Sequence, residues 1–275
     1  MNRNRHVKKL PELSIAIAIA VTWEFVSYSN YPRLVLAQSD KPTNDVSTLE
    51  RSKQQELDFS GYGRPGRRTG GGSRSLCPSI DPPLTALIPE TNLGKTVAER
   101  PSFLFYIPYS PQQAPDGEFV LQSEQGDDIY RTDVTLPQTP GIVSISIPST
   151  VKPLEISQSY RWYFKLYCES QQASTPIFVE GWVQRVALTP TLKSQLLAAK
   201  ARDYAVYAAN GIWYDALTHL AQLRHTNRAN PQLDLEWIDL LNAKGVGLEQ
   251  FWQQPIVGSA VLVREVRSQK SRIQK

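Results

Sequence analysis

SYRWYFKLYC, residues 159–168, decides how the rest of the chain is read. As an extended strand it places Tyr160, Trp162, Phe164, Leu166 and Cys168 on one side and Arg161, Tyr163, Lys165 and Tyr167 on the other. Period-2 alternation with this aromatic content marks a strand with one face in a core. After a short break, PIFVEGWVQRV (176–186) supplies a second strand. Upstream the chain reads as more strands to pack against these two, downstream as helices.

The upstream strands are punctuated by turn residues. Leu84–Ile88 is closed by Pro89, and Phe103–Ile107 by Pro108. Phe119–Leu121 and Ile129–Leu136 flank a Gly126-Asp127 turn. Val143, Ile145 and Ile147 then face one way, Ser144 and Ser146 the other, and Pro148 ends the run. Six or seven short strands with turns between them predict an antiparallel, immunoglobulin-like β-sandwich over residues 79–188. No βαβ spacing is present, which excludes doubly wound folds. Residues 177–186 carry apolar groups at both parities, Ile177, Val179 and Val183 against Phe178, Trp182 and Val186. Either both faces are covered, the second by the helical part, or a bulge sits near Gly181; the first reading is preferred. Glu180 then falls near a junction, where ligand pockets tend to form.

Thr189-Pro190 is a helix start, a capping hydroxyl followed by proline at the first helical position. A broad apolar stripe runs to Ala208, Asn210-Gly211 breaks it, and a second helix carries Trp213, Ala216, Leu217, Leu220 and Leu223 inward. A third follows Asn230-Pro231 and ends at Gly245, and 246–256 reads as capping coil with Phe251 and Trp252 tucked in. Residues 189–256 are thus expected to form a small helical hairpin module.

The first 37 residues read as an export signal. Arg3, Arg5, Lys8 and Lys9 precede an 11-residue apolar run, Leu13–Trp23, too short to cross a bilayer core. Val35-Leu36-Ala37 places cleavage after Ala37, although the gap from the apolar run is long and an uncleaved membrane-associated leader is the alternative. Five basic residues against two acids in this segment account for +3 of the formal net charge of +4, leaving +1. The chain beyond the leader therefore has no bulk basic character, and nucleic-acid binding has no support. Cys77 and Cys168 are the only cysteines. In an oxidising compartment the pair reads as a disulfide; the alternative is two free thiols with Cys168 a core residue.

Residues 38–78 read as a linker, polar at first and then rich in glycine and arginine. Gly61, Gly63, Gly66 and Gly70–Gly72 interleave there with Arg64, Arg67, Arg68 and Arg74. Glycine-rich backbone can aim N–H groups at an anion, and arginine forks suit phosphate or carboxylate. No Lys-Ser/Thr follows, so a nucleotide loop is not indicated. A tether kept soluble by its arginines and a contact to an anion or polymer remain the two readings. The tail, 257–275, is basic and is expected to be frayed, with at most peripheral contact to an anionic membrane surface.

His219 and His225 are six apart and do not share a helix face, which makes a poor zinc set; Asp215 is placed to pair with His219 across one turn. No cofactor motif and no nucleophile elbow is present. Glu118, Asp128, Glu169 or Glu180 could supply a carboxylate pair only through tertiary structure. The outward face of 159–168 is the better lead. Tyr163 and Tyr167 with Arg161 and Lys165 between them, and Glu180 and Trp182 on the next strand, could stack on a sugar or bind an extended peptide, or could be a packing surface.

Several blocks resemble one family at once: GRRTGGGSR (66–74) with Cys77, PLTALIPETNLGKTVAERPSFLFYIPY (83–109), PGIVSISIP (140–148), SYRWYFKLYC, VEGWVQRV (179–186) and AANGIWYDAL (208–217). They are similar to the cyanobacterial family catalogued as domain of unknown function number 928, over about residues 61–256. The resemblance implies a cyanobacterial envelope setting and brings no catalytic residue, ligand or partner with it. Tyr207, Gly211, Trp213, Ala216, Leu217 and Leu220 also sit at the spacings of a single tetratricopeptide-type repeat, although Lys200 and Asp203 occupy places that are usually apolar.

The functional expectation is a non-catalytic periplasmic binding or protein-interaction module, with an envelope protein or anionic polymer as partner. The candidate surface is Arg64, Arg67, Arg68, Arg74, Tyr163, Tyr167, Glu180 and Trp182. The alternatives are a hydrolase of envelope glycan or peptide, with a carboxylate site at the sandwich–helix junction, and a purely structural envelope protein.

Overall fold

Strand β7 (Ser159–Tyr167) realises the alternation residue by residue: Tyr160, Trp162, Phe164 and Leu166 are buried, and the residues between them are half-exposed. It lies in a computed structural model that describes residues 56–71, 75–169 and 175–263. The leader and its cleavage site, the polar stretch to residue 55, Arg74 and the tail from 264 onward fall outside the described residues.

Around β7 are β1 (Thr85–Ala86), β2 (Leu93–Thr96), β3 (Ser102–Ile107), β4 (Asp116–Ser123), β5 (Asp128–Thr135), β6 (Gly141–Ser146), β8 (Ile177–Arg185), β9 (Ile256–Ser259) and β10 (Val261–Val263). They form a four-stranded sheet in the order β1-β3-β6-β9 and a six-stranded sheet in the order β10-β5-β4-β7-β8-β2. The sheets face each other through aromatic rings. Phe105 lies 4.6 Å from Phe164 and 5.5 Å from Trp162, and Phe103 5.2 Å from Phe119. Burying side chains of this size is the main stabilising term of such a layered core.

The arrangement is sandwich-like at this coarse level, but the expected all-antiparallel, immunoglobulin-like set of six or seven strands is corrected. β2 runs parallel to β8, and β9 parallel to β6. β2, β9 and β10 carried no legible signal, because LGKT, IVGS and VLV are too short to show a period. β9 and β10 also occupy the stretch read as the start of a frayed tail.

The helical region is α1 (Pro190–Ala199), one 3₁₀ turn at Lys200–Arg202, α2 (Asp203–Ala209), α3 (Trp213–Thr226) and α4 (Pro231–Leu241). The Thr189 hydroxyl accepts the Leu192 N–H at 3.2 Å, and the Asn230 side chain accepts that of Gln232 at 3.0 Å. Lys200, at φ 55°, interrupts the first helical run, and Gly211, at φ 68°, ends the second. With α4 added, the region is larger than a two-helix hairpin.

Of these helices α3 lies against the sheets, meeting β3 and β9 of the four-stranded sheet and β2 at the edge of the other. Residues of β3 alternate: Phe103 and Phe105 point to the other sheet, while Leu104 and Tyr106 point the opposite way, where Phe251 meets Tyr106 at 5.0 Å between centroids. Phe251 is fully buried, whereas Trp252 is exposed. The start of α3 reaches round the sheet edge: the Trp213 indole N–H donates to the Leu87 carbonyl at 2.9 Å, and the Tyr214 hydroxyl to that of Trp182 at 2.9 Å. Sheets and helices thus share one hydrophobic cluster.

The pairing of β7 with β8 is unbroken from Ser159↔Gln184 to Leu166↔Ile177, so there is no bulge at Gly181. The second face of β8 is covered as expected, but by the Arg/Gly segment rather than by the helices. Cys77 and Cys168 are joined, with Cα atoms 5.1 Å apart across 91 residues, which decides between the disulfide and free-thiol readings.

Candidate functional site

Strand alternation sends Arg161, Tyr163, Lys165 and Tyr167 to the outer face of the six-stranded sheet. Register aligns them in cross-strand rows. Arg131, Val120, Tyr163 and Glu180 form one; Asp133, Glu118, Lys165 and Phe178 another; Asp128, Gln122, Arg161 and Trp182 a third. Opposite charges meet directly. Glu118 lies 2.6 Å from Lys165 and 2.7 Å from Arg131, and Glu180 lies 2.6 Å from Arg161. Burial pushes the Glu118 carboxyl up, but hydrogen bonds from Lys165 and Arg131 outweigh it, so the group lies below the usual carboxylate range. Burial raises the hydroxyls of Tyr163 and Tyr167, which stay neutral donors.

The Arg/Gly segment is laid onto this face as a strap. Arg67 N–H donates to the Glu180 carbonyl at 3.1 Å, and Glu180 N–H returns a bond to Arg67 at 2.8 Å. Arg64 stacks over Trp182 at 4.8 Å and pairs with Glu124 at 2.6 Å, and Arg67 stacks over Phe178 at 4.7 Å. The Trp182 indole donates to the Pro65 carbonyl at 2.9 Å. The glycines permit close approach: a Cβ on Gly63 would stand 2.7 Å from the Thr91 carbonyl oxygen, and one on Gly70 3.0 Å from Ile177.

Residues 58–71 are therefore laid against the body of the protein rather than free in solvent, with the N–H groups of Phe59, Arg64, Arg67 and Gly70 each donating to a carbonyl elsewhere in the chain. Arg68 shows this most clearly. It turns away from the face and donates to the carbonyls of Val246 and, at 2.8 Å, Gly247, with Glu90 and Glu249 nearby. Of the residues singled out in the sequence, the structure brings Arg64, Arg67, Tyr163, Glu180 and Trp182 together. Tyr167 stands at the end of the same strand opposite Asp116, and Arg74 lies outside the described residues. Trp182 is only 8% exposed, so it anchors the strap rather than offering a free ring. Arg161, named in the sequence beside Tyr163 but not counted in the candidate surface, is the hub, stacked over Tyr163 at 4.8 Å and 5.8 Å from the Trp182 ring. Its placement opposite Glu180 and Trp182 depends on the β7–β8 register, which no local pattern encodes.

At the sandwich–helix junction a cavity of about 190 Å³ is lined by Thr96, Arg100, Ser102, Asp215, Thr218 and His219, among others. Asp215 is buried and accepts the Val97 N–H at 3.2 Å. Burial pushes its carboxyl up, against the lowering effect of the Thr96 hydroxyl, the Val97 N–H and His219. The expected surface pair of Asp215 with His219 is corrected. His219 Nδ1 lies 2.7 Å from Asp203 at the start of α2, because the packing of α2 on α3 brings that carboxylate closer. Asp215 is the one carboxylate lining this cavity, and Glu118, Asp128 and Glu180 are each ion-paired on the sheet. Among the described residues no group of three or more His, Cys, Asp or Glu is placed to hold a metal.

The model of one protein family, Domain of Unknown Function (DUF928), matches residues 69–256, more than half of the chain. The chain belongs to the DUF928 family. No curated protein matches it. The DUF928 span runs from the end of the strap to the first residue of β9, and holds both cysteines, Arg161, Tyr163, Glu180 and Trp182. Arg64, Arg67 and Arg68 precede the matched residues.

Proposed function

We propose that this DUF928 protein is an exported, non-catalytic interaction module that docks an envelope protein on the outer face of its six-stranded sheet. The observation that carries the reading is the stack of Arg64, Arg67 and Arg161 on Trp182, Phe178 and Tyr163, set in a charge-balanced mat. Arginine and aromatic side chains with neutralised charges are typical of protein interfaces. Balance also argues for a protein over an anionic polymer: Arg64, Arg131, Arg161 and Lys165 each have an acid partner, and Arg67 donates to the Gly71 carbonyl. Export is supported by the disulfide, a bond that persists in oxidising compartments, and by the leader pattern in the sequence.

The test uses the exported full-length protein with a photo-crosslinking phenylalanine analogue at Tyr163, and at Leu197 as the control. A discrete adduct from Tyr163 alone, lost on Arg161→Ala, is expected. The same adducts from both positions, or none from Tyr163, overturn the docking face. N-terminal sequencing that begins elsewhere than near Gln38 overturns the cleavage site.

A further inference from the structure

On the far side of the molecule, four serines stand on the face of the four-stranded sheet turned to the helices. Ser102 and Ser146 are partners in register, with hydroxyls 2.7 Å apart, and Ser144 and Ser259 are likewise partners, 2.8 Å apart. Each pair uses one hydroxyl hydrogen and keeps one donor and several lone pairs free. Serine is a poor strand former beside valine or threonine, so the patch gives up stability.

Above it, α3 presents a polar stripe. Asp215, Thr218 and Gln222 recur at helical spacing on the side bordering the serines, with His219 flanking that stripe toward α2 and His225 flanking it on the other side. An apolar stripe would bury more surface there. Helix and serines instead border an open crevice of two adjoining cavities, of about 190 and 140 Å³, which continues into a third of about 370 Å³ lined by Arg224, His225, Arg228, Asp234 and residues 253–257. The first two share Ser102, Thr218 and Gln222, and the last two share His225 and Ile256. From Asp215 to His225 the helix covers about 15 Å. The Thr218 hydroxyl oxygen is buried with no hydrogen-bond partner within the chain, so it is open to a water or a ligand group. Leu104, Ile142 and Ala221 form a small apolar floor in the middle cavity.

We infer that this crevice binds a neutral saccharide of one to a few rings. Hydroxyls and the Gln222 amide both donate and accept, which matches sugar hydroxyls, and the floor suits the C–H face of a ring. In the middle cavity the hydroxyls of Ser102, Ser144, Ser146 and Ser259 stand beside the apolar floor, an amphipathic lining that suits a sugar ring, and His225 is the one ionisable group there; Arg100 and Asp215 line the first cavity and Arg224, Arg228 and Asp234 the third. His225 Nδ1 already meets the Ile256 carbonyl at 2.9 Å. The site lies on the opposite side of the two sheets from the docking face and does not depend on it.

The test is an amide-resolved NMR titration of the folded, disulfide-bonded protein with maltose, cellobiose and N,N′-diacetylchitobiose, and with tetraglycine and hexanoate as controls. At least one saccharide is expected to give saturable shifts centred on Ser144, Ser146, Thr218 and Gln222. Gln222→Ala puts a better helix former at an exposed site, and Ser146→Val a better strand former, so both variants are expected to fold. Each is expected to weaken binding by about tenfold, and Arg161→Ala to leave it unchanged. Saturable shifts from none of the three sugars, equal affinity in both variants, or tighter binding of either control at these residues overturns the assignment.

Discussion

The hydroxyl of Tyr214 on α3 accepts the indole N–H of Trp162 on β7 at 2.8 Å, inside the core. The same hydroxyl donates to the Trp182 carbonyl at 2.9 Å, so one buried oxygen joins the helical region to two strands of the six-stranded sheet. Tyr214→Phe keeps the ring and strands a buried donor and a buried acceptor. Such groups cost about 1–3 kcal/mol each when left unpaired. A loss of about 2–6 kcal/mol in the denaturation midpoint analysis is expected. A change below about 0.5 kcal/mol would show that the hydroxyl is not the joint described.

The disulfide closes a loop of 91 residues from just before β1 to the end of β7. The chain-entropy account gives such a loop about 4–5 kcal/mol of stabilisation. The double change Cys77→Ser, Cys168→Ser is expected to lower stability by an amount of that order, and added reductant to lower the wild type to the same level. Insensitivity of the wild type to reductant under denaturing conditions would contradict the bond.

Asp215 gives a pH dependence of known sign. Burial holds its folded-state pKa above the ordinary 3.8, so the folded protein binds the extra proton. Its contribution is fullest below that unfolded value and is lost as pH rises through the raised folded value. Asp215→Asn keeps an acceptor for the Val97 N–H without the buried charge. The variant is expected to exceed the wild type in stability at pH 7, with the difference vanishing below about pH 4. Thermal unfolding of both across that range checks it, and a variant that is less stable at neutral pH contradicts it.

The strap predicts its own weak point. In Gly63→Ala the new Cβ would meet the Thr91 carbonyl oxygen at 2.7 Å, next to the bond from the Arg64 N–H to that oxygen. A backbone clash of this kind typically costs about 1–3 kcal/mol. The expected result is faster proteolysis within residues 58–71 and a change in Trp182 fluorescence, with the sheet-to-sheet core intact. Unchanged cleavage would mean that the strap tolerates the shift.

How much of this was legible follows from the range over which each feature is encoded. The alternation in β7 was readable because successive side chains of a strand point to opposite faces, whatever lies beyond. The Thr189 and Asn230 caps and the Gly211 break were readable for the same reason, being settled within a few residues. Cys77 and Cys168 were the only possible pair, so only the compartment was in question.

The candidate face was half legible. Tyr163 was found from its parity and Glu180 from an expected place at the helical junction, which the strap occupies instead; Arg161 was named beside Tyr163 but left out of the candidate surface, and the strap was taken for a linker. Glycine permits both a flexible tether and a tightly apposed backbone, and composition does not distinguish them. Thr218 and Gln222 carried no signal in the sequence, because what borders them, the serines of β3, β6 and β9, comes from segments far away in the chain.

By itself, then, the sequence determined which residues face inward, where the helices begin, and which sulfurs can join. The parallel pairings of β2 and β9, the course of residues 58–71 over Phe178 and Trp182, the partner of His219 and the polar crevice were decided only by tertiary structure. The reason is physical: a side chain's direction follows from its own backbone, but its partner follows from which distant segment buries the most surface beside it.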